Sequence, residues 1–245
     1  MDEIFEGQEG TLWYLDDILI HGGEREYKHQ MIVEQVLKRC LQHDLAVNLD
    51  KSEFHKTEVE FLDHIINGTN IQMQQKKVDA IVEWKTPTKK KEVQAFLGFA
   101  NYYRQFIKNY LAKVKLLIEL MKDVLFSWNE QQQLAFDNLK DAFTSAPVLK
   151  PLDRNLETII ERDASNQAIA GILSQYHVEN SVRSLHPVDH YAKVLSLSER
   201  NWPIHDKELW AIILCFHRWN SWLKGCPMKV DVYTDHHGLQ YFNTK

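Results

Sequence analysis

The sequence predicts an α+β fold built in three successive parts, and three observations carry that prediction. Residues 12–20 are two short apolar runs, Leu12-Trp13-Tyr14-Leu15 and Ile18-Leu19-Ile20, separated by Asp16-Asp17. Runs this short, rich in aromatic and β-branched side chains, read as strands, and the acidic pair reads as the turn between them. Residues 74–143 carry apolar side chains at helical spacing with few breaks. Residues 158–234 return to strand-like runs around one long helical stretch. The 245 residues have room for one or two compact domains, or parts of a larger assembly, and a hydrophobic fraction of 44% supports a real core.

In the first part, residues 1–11 look like the tail of something already under way. Glu24 to Leu45 is helical by period, with Val33, Val36, Leu37, Cys40 and Leu41 on one face. Ala46 to Leu49 and Val59 to Ile66 read as strands, the second closed by Asn67-Gly68, a strong turn signal. In the second part, Val78, Ile81 and Val82 precede a break at Thr86-Pro87, and Thr88 reads as the cap of the next helix. Val93, Phe96, Leu97 and Ala100 line that helix, and Val114, Leu117, Ile118 and Met121 line another. Asn129 with Gln132 resembles a capping box before Ala135, Phe136, Leu139, Ala142 and Phe143, and Pro147 ends that helix. In the third part, strands are expected at Thr158–Asp163, Gln167–Gln175, Pro187–Lys193 and Lys229–Thr234. A long helix, Ser198 to Leu223, carries Leu209, Ile212, Ile213, Phe216 and Leu223 inward and is capped by Gly225. The boundaries expected are 1–73, 74–147 and 148–245.

Several function classes drop out at this level. Three cysteines, Cys40, Cys215 and Cys226, form no CxxC pair, which argues against a disulfide framework or a cysteine zinc site. The start, Met1-Asp2-Glu3, has no apolar segment of a secretory signal, and the longest apolar run, Ala211–Phe216, is far too short to span a bilayer. A formal net charge of -5 leaves nucleic-acid affinity to local basic stripes and to metal ions at acidic sites.

Asp16 and Asp17 are the centre of the chemistry. Adjacent carboxylates repel, and a hard divalent ion with oxygen ligands, Mg²⁺ or Mn²⁺, relieves the repulsion. Asp-Asp on its own also reads as a solvated turn. Its company decides the matter: Tyr14-Leu15-Asp16-Asp17-Ile18-Leu19-Ile20 resembles the active-site hairpin of reverse transcriptases. Phe61-Leu62-Asp63-His64-Ile65-Ile66 is similar to the same family's primer-grip hairpin, although the family usually has Gly where this chain has Asp63. Leu97-Gly98-Phe99-Ala100-Asn101-Tyr102-Tyr103-Arg104-Gln105-Phe106-Ile107 resembles the thumb of gypsy-type long-terminal-repeat retrotransposon Pol proteins. Lys89-Lys90-Lys91, Arg104 and Lys108 offer cations that position a duplex by its phosphates, and the lysine run reads equally as a solvated helix face.

A second set of acids stands in the third part. Asp163 closes a strand, Glu208 stands beside the helix's apolar stripe, and Asp235 ends the fourth strand. If the first and fourth strands are neighbours the three converge, as a two-metal nuclease needs. Taken singly, each reads as a surface or capping residue. Arg162-Asp163-Ala164-Ser165, His205-Asp206-Lys207-Glu208-Leu209 and Tyr233-Thr234-Asp235-His236 resemble the ribonuclease H of the same retrotransposons, with Arg162 in place of the family's Thr. Arg162 either pairs with a ligand carboxylate or, by strand alternation, points to the opposite face. His205, His236 and His237 lack the spacing of a zinc site, and Trp202, Trp210, Trp219 and Trp222 read as packing or as stacking surfaces.

The resemblance implies a partial reverse-transcriptase palm, a helical thumb and a C-terminally truncated ribonuclease H-like mixed sheet. It implies metal ligation by Asp16, Asp17, Asp163, Glu208 and Asp235, and nucleic-acid contacts from Phe61, Leu62, His64, Arg104 and Lys108. Implied partners are primer–template and RNA–DNA hybrid, and the rest of a Pol polyprotein, with fingers and palm upstream and integrase downstream. No membrane partner is expected. The implied setting is intracellular, a cytoplasmic virus-like particle or the nucleus. The family's polymerase uses a further aspartate before the hairpin, and its ribonuclease H a fourth acid in a later helix. The expectation is therefore that this polypeptide alone does not polymerise. A non-catalytic remnant or adapted binding module is the alternative from a different class.

Overall fold

The computed structural model describes residues 1–22, 26–122 and 125–234. Asp235, His236 and His237 therefore lie outside the described residues. The chain divides into two compact units, Met1–Gln74 and Gln75–Lys245. No helix among the described residues is long and apolar enough to cross a membrane.

In the first unit a short helix, α1 (Asp2–Phe5), precedes an antiparallel hairpin of β1 (Thr11–Tyr14) and β2 (Asp17–Ile20) and a longer helix, α2 (Glu26–Gln42). Ile32, Val36 and Cys40 of α2 close on Phe5, with Trp13, Ile18 and Ile20 of the hairpin packed against them. The buried stripe is therefore narrower than periodicity predicts. Leu37 and Leu41, expected inside, are 38% and 79% exposed, because this small core covers only one i, i+4 row. Arg39 ties the helices together by donating to the Ile4 carbonyl at 2.7 Å.

Ala46–Leu49, expected as a strand, is not one. Asn48 instead accepts from the Lys51 N–H and caps a 3₁₀ turn, Leu49–Lys51. An Asn side chain that bonds its own backbone competes with a ladder in this way. Val59–Ile66 is not one strand but a hairpin, β3 (Glu58–Phe61) and β4 (His64–Asn67), joined by Leu62 and Asp63. Asn67 accepts from the Thr69 and Asn70 N–H groups and turns the chain into a third antiparallel strand, β5 (Ile71–Met73), which is too short to be legible in sequence.

The second unit opens with helices α3 (Gln75–Val82), α4 (Lys90–Tyr102), α5 (Tyr110–Lys122) and α6 (Glu130–Thr144). Val93, Phe96 and Ala100, Val114, Leu117 and Leu120, and Phe136, Leu139 and Phe143 are the buried faces of α4, α5 and α6. Phe96 and Phe136 meet at 4.6 Å between ring centroids, and Trp84 seals one end against Phe96 and Phe99. Lys89, not Thr88, is the N-cap of α4. Thr88 donates its N–H and hydroxyl to the Glu92 carboxylate at 2.8 and 3.0 Å. Asn129 caps α6 by accepting from Gln131, and Gln132 returns no bond, so the capping box is half made.

The unit ends in a four-stranded sheet of order β8-β7-β6-β9, from β6 (Thr158–Ala164), β7 (Ala168–Glu179), β8 (Val182–Val194) and β9 (Val230–Tyr233). β6 and β9 are parallel neighbours and the other pairs are antiparallel. The predicted long helix is three, α7 (Leu197–Arg200), α8 (Ile204–Arg218) and α9 (Asn220–Leu223), because Pro203 has no N–H to continue α7 and Trp219 leaves helical geometry. Cys215 and Trp219 pack on Ile160, Leu173 and Val188. Gly171 permits this close approach, since a Cβ there would stand 2.5 Å from the Cys215 Sγ. Gly225, at φ +82°, stands just beyond the C-cap Lys224, as expected for a helix stop.

Ser196 and Glu199 form a full capping box on α7. The Glu199 carboxylate accepts from the Ser196 N–H at 2.7 Å, the Lys193 ammonium at 3.1 Å and the Trp210 Nε1–H at 2.8 Å. These bonds, the Ser196 N–H first, hold its carboxyl down from 4.5 to about 2. A depressed carboxyl contributes stability that is complete above its unfolded value and lost as pH falls through its folded one. Glu199→Gln is expected to cost about 1–2 kcal/mol near neutrality. Most of that difference should vanish by about pH 2, as urea unfolding at the two pH values would show.

Candidate functional site

The first site is the β1–β2 hairpin. Tyr14 pairs with Asp17, so the two turn residues are Leu15 and Asp16, not the two aspartates, and Asp17 is the first residue of β2. Register decides this: the cross-strand pairs run from Thr11–Ile20 to Tyr14–Asp17 without a bulge. Leu15 adopts φ 50° and is 72% exposed. A left-handed conformation costs a leucine about 1–2 kcal/mol, and no packing of the side chain offsets it. A two-residue hairpin turn needs a positive φ at its first centre, so the register sets this conformation against the residue's own preference. Asp16 and Asp17 are both exposed, and neither takes a cationic partner among the described residues. The donor set, two adjacent carboxylates, suits a hard divalent cation.

The β3–β4 turn in the same unit carries Phe61, Leu62 and His64. Leu62 and Asp63 have φ 48° and 61°, the conformation a two-residue hairpin turn needs at both centres. His64 Nδ1 donates to the Leu62 carbonyl at 2.6 Å, and burial lowers its pKa. The ring is therefore neutral near pH 7 and braces the turn instead of offering a charge to phosphate.

The second set lies in the Gln75–Lys245 unit. Arg162 and Asp163 are adjacent on β6 and alternate: Arg162 is buried, Asp163 exposed. Arg162 reaches into the layer under α8 and forms an ion pair with Glu208, its side chain 0% and that of Glu208 5% exposed, and it also donates to the Thr234 hydroxyl. Both expectations for Arg162 are thus met together: it pairs with a candidate ligand carboxylate, and it points away from Asp163. Glu161 pairs with Tyr233 in the parallel register of β6 and β9. Among the described residues, no group of three His, Cys, Asp or Glu side chains stands where it could hold a metal ion. In this arrangement Glu208 does not fit a metal site, because its charge is already compensated by a guanidinium.

The basic residues of the helical part are unequal. Lys89 pairs with Glu92 at 3.3 Å and Lys90 donates to the Met121 carbonyl at 3.5 Å, so two lysines of the run have intramolecular work. Arg104, at the start of the 3₁₀ turn Arg104–Phe106, and Lys108 are exposed. Sequence reasoning missed Asp189. It is 1% exposed, accepts from the buried Trp219 Nε1–H at 2.8 Å and from Arg218 at 3.3 Å, and burial raises its pKa. The one signal for it was Trp219 itself, since a buried indole N–H needs an acceptor.

Comparison with known proteins matches the two units to two families. Residues 1–66 match the reverse transcriptase (RNA-dependent DNA polymerase) family, and residues 128–230 match the RNase H-like domain found in reverse transcriptase. The Transposon Tf2-3 and Tf2-7 polyproteins of Schizosaccharomyces pombe (strain 972 / ATCC 24843) are each 34% identical over 227 residues, 92% of this chain. The chain spans 17% of the length of these relatives. Among solved structures, the foamy viral protease-reverse transcriptase dRH in complex with ds DNA has a TM-score of 0.76 at 23% identity, covering 98% of this chain and 42% of that one. The foamy viral protease-reverse transcriptase in complex with RNA/DNA hybrid has a TM-score of 0.75 at 22% identity, covering 99% and 33%. At that identity they attest the fold alone. Sequence kinship on both sides of residue 75 runs in the same order as in those polyproteins, and the chain belongs to the reverse transcriptase–ribonuclease H family of gypsy-type long-terminal-repeat retrotransposon polyproteins.

Proposed function

We propose that the chain acts, as part of a larger polyprotein, in RNA-directed DNA synthesis and in the handling of RNA–DNA hybrid. The observation that carries this is the exposed Asp16–Asp17 pair at the end of a two-residue hairpin turn, within a segment that matches the reverse transcriptase family. Asp16 and Asp17 would hold Mg²⁺ or Mn²⁺, which when bound neutralises charge on the phosphates of the nucleotidyl transfer. Phe61, Leu62 and His64 present the rigid β3–β4 turn to the primer strand, and Arg104 and Lys108 hold duplex phosphates. The partners are primer–template, hybrid and the remainder of the polyprotein, integrase included, in a cytoplasmic particle or the nucleus.

The family's ligand roles for hydrolysis of the RNA strand fall on Asp163, Glu208 and Asp235, and Asp163 is exposed on β6. Glu161 and Tyr233 are paired in the parallel register of β6 and β9. Glu208, however, is engaged by Arg162, which keeps its carboxylate from a metal ion while the pair persists. That same ion pair favours a second reading, in which the RNase H-like part binds hybrid without cutting it.

One experiment separates the two. Hybrid binding by this chain is measured by fluorescence anisotropy, and cleavage of the RNA strand is followed with Mg²⁺ or Mn²⁺ in parent and Asp163→Asn. Metal-dependent cleavage that the variant loses supports the nuclease. Binding without such cleavage supports the module, and absence of binding to hybrid and duplex alike overturns the proposal.

A further inference from the structure

Within the Gln75–Lys245 unit a polar groove of about 250 Å³ opens between the 3₁₀ turn after α4 and the edge strand β8. One wall is Asn101, Arg104 and Gln105, and the other is His190, Tyr191 and Arg218. The walls are tied together by His190, whose Nδ1 donates to the Gln105 carbonyl at 2.7 Å. This bond fixes the neutral ring's tautomer, leaving Nε2 as an acceptor.

Two guanidiniums from different elements meet this groove. Arg104 is exposed and takes no carboxylate partner among the described residues. Arg218 shares one oxygen of Asp189 at 3.3 Å, but that carboxylate is buried and also serves Trp219, while the Arg218 side chain remains 44% exposed. An arginine has five N–H donors in a fixed fork, so one bond to Asp189 orients Arg218 and leaves donors for another anion. Two guanidiniums lining one groove beside amide side chains match an oxyanion better than an apolar ligand or a cation.

We propose that this groove binds a phosphate of the nucleic-acid backbone, with Arg104 and Arg218 as its two ligands. The inference rests on the nucleic-acid reading above, which already gives Arg104 a phosphate, and extends it to Arg218 and the β8 wall, which no sequence motif marks. Its consequence is mechanical. The strand is held where the helical part meets the sheet, so a duplex gripped by one is kept in register with the other.

The test is the salt dependence of hybrid binding by this chain. Removing one arginine–phosphate interaction should lower the slope of log K against log[salt] by about one between about 50 and 200 mM salt. Arg104→Gln and Arg218→Gln are each expected to do so and the double variant to lower it by about two, with Arg218→Lys keeping the parent slope. Arg183→Gln, far along β8 and paired with Glu157 at 2.5 Å, should leave the slope unchanged. A lower slope for Arg104→Gln alone follows from the nucleic-acid reading, so a parental slope in Arg218→Gln overturns the groove, and Arg218→Met, which keeps the aliphatic stem, replaces that variant if it unfolds. Slopes equal to the parent's overturn the groove and leave the nucleic-acid reading intact. A parent chain that binds no hybrid overturns both. Tight binding of inorganic phosphate by titration calorimetry, with parental hybrid slopes in the arginine variants, would assign the groove to a free anion and overturn the proposal.

Discussion

Arg162→Met is expected to destabilise the Gln75–Lys245 unit by about 3–5 kcal/mol in urea unfolding near neutral pH. The side chains of Arg162 and Glu208 are 0% and 5% exposed, so removing the guanidinium strands a carboxylate in a place water does not reach. The cost is the desolvation of that charge, not the absence of an attraction, and the double variant shows the difference. Arg162→Met with Glu208→Met removes both charges and fills similar volume with apolar atoms. It should return to within about 1–2 kcal/mol of the parent or exceed it. The coupling energy of the cycle then measures how far each charge depends on the other. A single variant within about 1 kcal/mol of the parent would mean that Glu208 has found water or another partner, and the buried pair would be discarded. The same variant also bears on function. If Glu208 belongs to a metal centre that Arg162 occludes, Mn²⁺ should recover part of the stability missing from Arg162→Met and none in the double variant.

Arg162 also shows where sequence alone runs out. Alternation along β6 is enough to set Arg162 and Asp163 on opposite faces, and both outcomes for the arginine can be written down from it. Which carboxylate it meets depends on α8 lying under that face, a tertiary fact. The helical faces of α4, α5 and α6 are legible because each apolar residue there recurs at one period. The face of α2 is not, since Val33, Leu37 and Leu41 satisfy the period as well as Ile32, Val36 and Cys40, and only the position of Phe5 chooses between them. Pro203 marks the break before α8, but the long apolar period around it outweighs a single residue. β8 extends five residues N-terminal of the expected start, because its first residues pair through a turn at Asn180 and Ser181 and not through an apolar alternation. The hairpin is recognisable from its string, yet propensity misplaces its turn by one residue. Asp-Asp is a better turn dipeptide than Leu-Asp, and the cross-strand register overrides that preference. Arg218 and His190 carry no signal at all, being brought to Arg104 by the packing of three separate elements.

The one-residue shift of that turn shapes the second large effect. Asp16 sits in the turn and Asp17 in the strand, so an isosteric Asn at either position keeps the backbone and removes one charge. Asp16→Asn and Asp17→Asn are each expected to lower metal-dependent DNA synthesis by the polyprotein by more than about 100-fold, beyond the loss typical of an outer-shell partner. Stability should move the other way or not at all. Both side chains are exposed without a cationic partner among the described residues. Two such charges about 5 Å apart in water repel by about 0.8 kcal/mol, and Asn removes that repulsion. In the parent chain, Mn²⁺ at ten times its dissociation constant should add about 1.4 kcal/mol to the Met1–Gln74 unit, and neither variant should keep that gain. A structural role for the pair would give the reverse pattern, with stability lost and the metal response retained. Opposite signs in melting and in metal response are what make the pair a metal site and not a turn, and a variant that melts early while still answering Mn²⁺ would remove the aspartates from the chemistry.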